Sequence, residues 1–88
     1  MINNGNILVL RKELDEIDRR LGGLLIKRFQ ICRKIGEHKK ENGLAIEDLD
    51  REKQIIDNKI KEFNLPKEFV KELFLLIFKY SKKMQYGN

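Results

Sequence analysis

The sequence predicts an all-α fold with three helices per chain, the first far longer than the other two. Three observations predict it. Apolar residues recur with a period near 3.6, and no stretch alternates with period 2. Helix-stop signals that also break the apolar period stand at Asn42-Gly43 and at Asn64-Leu65-Pro66, dividing the chain in three. The first of the three segments carries a heptad seam too long for the other two to cover.

Helix 1 is expected over about 7–41. Its apolar positions are Leu10, Leu14, Ile17, Leu21, Leu24, Ile31 and Ile35. They are spaced 4-3-4-3, with a single cation, Arg28, inserted in the seam before Ile31. Gly22-Gly23 interrupts this segment, at about 1 kcal/mol per glycine relative to Ala. The seam keeps its register on both sides, so one continuous helix is expected, and close helix packing is the plain reason for the glycines.

Helix 2 is expected over about 47–63, opened by Glu47 and Asp48, whose charge suits a helix N-terminus. It carries Leu49, Ile55, Ile56, Ile60 and Phe63. Helix 3 is expected over about 66–85, with Pro66 in its first turn. Its apolar residues are Phe69, Val70, Leu73, Phe74, Ile77, Phe78 and Met84.

Length argues for a second chain. A 35-residue helix spans roughly 50 Å, whereas a compact chain of this size has a diameter of about 30 Å. The overhanging Leu and Ile residues therefore call for a partner surface, and a symmetric homodimer is the commonest solution.

With 88 residues, the chain is read as one domain, 1–88. No apolar run approaches the roughly 20 residues of a membrane span, and Ile7-Leu8-Val9-Leu10 is too short for a signal-peptide core. One cysteine excludes an intrachain disulfide framework and a cysteine-based zinc site. A cytoplasmic protein is expected. The net charge of +5 points to anionic partners, either nucleic acid or small carboxylates and phosphates.

Polar residues interrupt the inward faces in a pattern. Arg28, Cys32, Ile35 and Lys39 form one stripe of helix 1, cationic at both ends. Arg11 lies near the other end of the helix, too far to share a site with Lys39 of its own chain. Asp48, Arg51 and Glu52 share a face of helix 2, and Ser81 and Gln85 share one at the end of helix 3. Each pattern has an ordinary structural reading. The helix 2 triplet makes a solvated ion-pair face, Ser81 and Gln85 an exposed helix end, Lys39 a surface charge, and Arg28 an interface salt bridge. Cys32 is a small packed residue, and His38 has no partner pattern for a metal.

Taken together, five blocks in order resemble a known family. They are Leu10-Arg11-Lys12-Glu13-Leu14-Asp15-Glu16-Ile17-Asp18, Leu24-Leu25-Ile26-Lys27-Arg28, Ile35-Gly36-Glu37-His38-Lys39, Asp48-Leu49-Asp50-Arg51-Glu52 and Ser81-Lys82-Lys83-Met84-Gln85. In order and spacing they resemble the all-helical chorismate mutase family, over about Leu10 to Gln85. The resemblance implies an intertwined homodimer and the isomerisation of chorismate to prephenate in the shikimate route to phenylalanine and tyrosine. Such a reaction is an intramolecular pericyclic rearrangement and requires no metal, cofactor or nucleophile.

By resemblance the roles fall residue by residue. Arg28, with Arg11 from the other chain, clamps the two substrate carboxylates, which the guanidinium fork suits. Lys39 and Gln85 donate to the ether oxygen as the C–O bond breaks. Glu52 accepts from the ring hydroxyl with Asp48 close by, Arg51 supports the carboxylate side, and Ser81 adds a polar contact. Cys32, Ile35 and Ile55 form the apolar floor. Two departures stand out. Gly22-Gly23 replaces better helix formers, and Lys82 stands where relatives often carry an apolar residue.

Two other readings compete. An isochorismate-pyruvate lyase shares the fold, but the set Asp48, Arg51, Glu52 and Gln85 favours the mutase. A basic helical dimer binding nucleic acid or another helix would need its cations on one outer face. Here Lys and Arg are spread over all three segments and interleaved with Glu and Asp. Docking to another shikimate-pathway enzyme is left open.

Overall fold

The computed structural model describes residues 4–87. They form α1 (Asn4–Glu41), α2 (Leu49–Glu62) and α3 (Lys67–Tyr86), with no strand among them. α1 begins three residues before the expected start at Ile7, and α2 is tighter at both ends than 47–63. The reason at the start of α2 is local. Asp48 stays outside the helix at φ −140° and caps it, its Oδ1 accepting from Arg51 N–H at 3.0 Å. Pro66 likewise stands just before α3 as its N-cap residue, and the helix runs one residue past Gln85 to Tyr86.

α1 stops where Gly43 takes a left-handed φ of +65°. Leu44 N–H then bonds Lys39 carbonyl at 2.8 Å and Gly43 N–H bonds Lys40 carbonyl at 3.3 Å, satisfying the last carbonyls of the helix. This turn sends the chain back, and α2 and α3 form a short hairpin beside the second half of α1.

α3 is the central element, packing against both α1 and α2. Its inward stripe Val70, Phe74, Phe78 and Ser81 is buried. Ile55, Ile56, Ile60 and Phe63 of the α2 segment pack on it. Phe74 is the hinge of the aromatic contacts, its ring centroid 6.0 Å from Phe63 and 5.9 Å from Phe78 in tilted geometry.

The first half of α1 has no such cover. Leu10, Leu14, Ile17, Leu21 and Leu24 are each more than half exposed. The radius of gyration is 17.4 Å, against about 12 Å for a compact chain of this length. α1 passes unbroken through Gly22-Gly23, where nothing lies within 4 Å of a would-be Cβ, so no close packing within the chain accounts for this pair. No described helix is long and apolar enough to cross a membrane.

Candidate active site

A cavity of about 480 Å³ opens between α1 and α2, with α3 as its back wall. Each helix presents one face to it. α1 supplies Arg28, Cys32, Ile35 and Lys39, and the start of α2 supplies Asp48, Arg51, Glu52 and Ile55. α3 supplies Phe78, Ser81, Lys82 and Gln85, which are spaced i, i+3, i+4 and i+7 along one stripe. Ten of the eleven residues singled out in the sequence therefore meet in one place; Arg11 is the exception. Arg11 is exposed on the uncovered half of α1, about 26 Å up the helix axis from Arg28.

Arg28 is held in place rather than free. Its Nη1 donates to Ser81 Oγ at 2.8 Å and lies 3.6 Å from Cys32 Sγ. Its guanidinium carbon sits 5.9 Å from the Phe78 ring centroid, a cation over an aromatic face. Within the chain, among the described residues, it makes no salt bridge, and its partners there are these neutral groups. A partly buried cation without a carboxylate keeps its capacity for an incoming anion.

Lys39 closes the other end of the stripe. Its Nζ donates to Ile46 carbonyl at 3.0 Å and to Gln85 Oε1 at 3.3 Å. An ammonium has three N–H donors, so one is left for a ligand. With its oxygen turned to Lys39, the Gln85 amide keeps its NH₂ for a ligand as well. The backbone brings these two together. A Cβ on Gly36 would overlap the carbonyl oxygen and Cα of Gln85, so only glycine lets α1 and α3 approach this closely.

On the α2 side, Asp48 spends Oδ1 on its capping bond, while Arg51 stays exposed at the rim. Glu52 is partly buried and ion-paired through Oε2 with Lys82 Nζ at 3.1 Å. Lys82 also reaches Glu47 Oε1 at 3.2 Å. Burial pulls the Lys82 ammonium down, but the hydrogen bonds and charges of Glu52 and Glu47 outweigh it and leave its pKa above the usual lysine value. Cationic groups outnumber carboxylates at the lining: Arg28, Lys39, Arg51 and Lys82 against Asp48 and Glu52. Such a concavity attracts an anion.

Three lining residues were not among the expected site residues. Phe78 and Lys82 lie on the stripe of Ser81 and Gln85, so helical spacing carried their signal. Ile46 lies in the turn before α2, where no periodicity exists to reveal it.

The comparisons agree with this geometry. The chorismate mutase type II family profile matches residues 10–86. A chorismate mutase of Methanocaldococcus jannaschii is 30% identical over 79 residues, covering 86% of this chain and 80% of the relative. A bifunctional chorismate mutase/prephenate dehydratase of Buchnera aphidicola is 36% identical over 85 residues, covering 93% of this chain; the chain spans 22% of that relative's length. The solved structure of a chorismate mutase from Thermus thermophilus superposes with a TM-score of 0.87 at 32% identity, covering 92% of this chain and 94% of that one. The three-helix fold, the convergent cationic cavity and a profile match over nearly the whole chain thus lead to one conclusion: the chain belongs to the type II chorismate mutase family.

Proposed function

We propose that this chain isomerises chorismate to prephenate in the cavity between α1 and α2. The observation that carries the proposal is the convergence of Arg28, Lys39, Glu52 and Gln85 on one concavity. One C–O bond breaks and one C–C bond forms within the same molecule. No proton leaves, so the protein's task is to hold the dianion in a compact chair-like conformer and to stabilise charge growing on the ether oxygen. Arg28, braced by Ser81 and Phe78, takes one carboxylate. The free donors of Lys39 and Gln85 meet the ether oxygen. Glu52 accepts from the ring hydroxyl, with Asp48 beside it and Arg51 at the carboxylate rim. Cys32, Ile35, Ile55 and Phe78 exclude water, which strengthens each of these contacts.

The working unit in this reading is a homodimer. The exposed stripe Leu10, Leu14, Ile17, Leu21 and Leu24 is too apolar for water and needs a second copy. Arg11 lies on that same uncovered half, and from a second copy it would supply the other carboxylate clamp. Fusion to a prephenate dehydratase in the Buchnera relative supports a working contact between this chain and another shikimate-pathway enzyme.

The test is purified protein with chorismate, following loss of chorismate absorbance and identifying the product. Wild type and Lys39→Ala are run together, with isochorismate as the parallel substrate. Wild type is expected to form prephenate, and Lys39→Ala to turn over about 10²–10³ more slowly. A folded wild type that leaves chorismate intact, or releases pyruvate from isochorismate instead, would overturn the reading.

A further inference from the structure

We propose that Lys82 is a positioning residue for substrate recognition: it fixes the Glu52 carboxylate so that the free oxygen meets the substrate's ring hydroxyl. The inference rests on the mutase reading above. Its own ground is geometry. Lys82 follows the buried Ser81, the residue that braces Arg28, and it turns into the cavity rather than to solvent. Its Nζ lies 3.1 Å from Glu52 Oε2 and 3.2 Å from Glu47 Oε1. It thereby joins α3 to the first turn of α2 and to the turn between α1 and α2.

The two carboxylates are not equivalent. The Glu52 side chain is 18% exposed and lines the cavity, while that of Glu47 is 56% exposed and does not. A glutamate on a helix swings about three rotatable bonds, and a partly buried carboxylate without a cation is costly. Holding Oε2 removes that freedom and leaves Oε1 to accept a hydroxyl. The other charged groups that line the cavity with Glu52 are Arg28 and Lys39 from α1, Asp48 at the cap of α2 and Arg51 from α2. The other three lining cations lie elsewhere: Arg28 sits on Ser81, Lys39 on Ile46 and Gln85, and Arg51 is exposed at the rim. Lys82 alone among the lining cations pairs with Glu52 in the described residues.

A hydroxyl contact is made equally in the bound substrate and in the transition state, so losing its geometry appears in KM rather than in kcat. The experiment is steady-state kinetics on wild type, K82M, K82R, E52Q, E47Q and the double variant K82M/E52Q, each checked for helicity by circular dichroism. K82M is expected to raise KM by about tenfold with kcat within about twofold. K82R should restore most of the loss, and E47Q should change KM less than twofold, about the noise of such contacts at an exposed site. In the E52Q background K82M should add nothing. If K82M does not fold, K82Q removes the same charge with a polar chain of similar length and carries the same expectation.

An unchanged KM in K82M overturns the inference and leaves the mutase reading standing. So does an equal rise in KM with and without E52Q, which would mean that Lys82 meets the substrate itself. A wild type without chorismate turnover overturns the mutase reading and this inference with it.

Discussion

Lys39 Nζ lies 3.3 Å from Gln85 Oε1, joining the last turns of α1 and α3 across the cavity. The contact orients both groups. It turns the amide oxygen toward the lysine and leaves one N–H of the lysine and the NH₂ of the amide without a partner among the described residues. It is possible because Gly36, one turn before Lys39, carries no Cβ and lets the Gln85 backbone come close.

Gln85→Glu tests the amide as a donor. An ionised carboxylate has no hydrogen to give, and Lys39 beside it favours the ionised form. Wild-type turnover is expected to persist from pH 5 to 7.5. The variant should lose about 10²–10³ at pH 7.5 and recover as pH falls toward 5, where a glutamic acid begins to regain its proton. A pH–rate profile of both proteins decides it, and a wild type that falls steeply over that window would count against Gln85 as the donor.

Gly36→Ala should damage both stability and turnover. The new methyl meets backbone, which no rotamer change relieves, so α1 and α3 must part. Overpacking of this kind costs about 1–3 kcal/mol. A separation of about 1 Å at Gln85 is enough to lower kcat about 10²-fold. Thermal denaturation and kinetics on the same sample read both effects.

Subunit mixing tests whether Arg11 crosses between copies. R11A and R28A homodimers should each be nearly inactive. Mixed and re-equilibrated, half of the dimers become heterodimers in which one of two sites has both arginines. About a quarter of wild-type activity should return, as two-fold symmetry requires. No recovery in a mixture shown by mass spectrometry to contain heterodimer would place both arginines in sites of one chain or remove Arg11 from the site.

The Lys82 ion pairs predict a pH dependence of stability. The folded-state pKa of Lys82 is raised above 10.5 by Glu52 and Glu47 against the opposing effect of burial. A raised lysine contributes fully below the unfolded value and loses its contribution as pH climbs through the folded value. The Tm difference between wild type and K82M should therefore be level from pH 7 to about 10 and shrink above about 10.5. A difference that shrinks already between pH 7 and 9 would mean that the pairs do not hold in solution.

The sequence by itself determined the helices and the helix faces on which the candidate residues stand. Period 3.6, Asn42-Gly43 and Pro66 specify where helices run and stop, because caps and backbone freedom are local properties. The faces of Arg28–Lys39, Asp48–Glu52 and Ser81–Gln85 follow from 100° per residue, whereas their union in one site was implied only by the resemblance of the five blocks to the family. Helix ends were less so, since Asp48 could cap α2 or begin it, and only the backbone geometry decides. Tertiary structure alone decided which partners each side chain takes. Within the chain Arg28 takes Ser81 and Phe78 as partners, and Ile46 enters the cavity lining from a turn. Lys82, whose direction the helix left undetermined at the cavity edge, turned inward to Glu52 and Glu47. These outcomes depend on the distance between helices, which Gly36 sets by bringing the Gln85 backbone against α1. Such contacts join residues far apart in sequence, and no local periodicity encodes them.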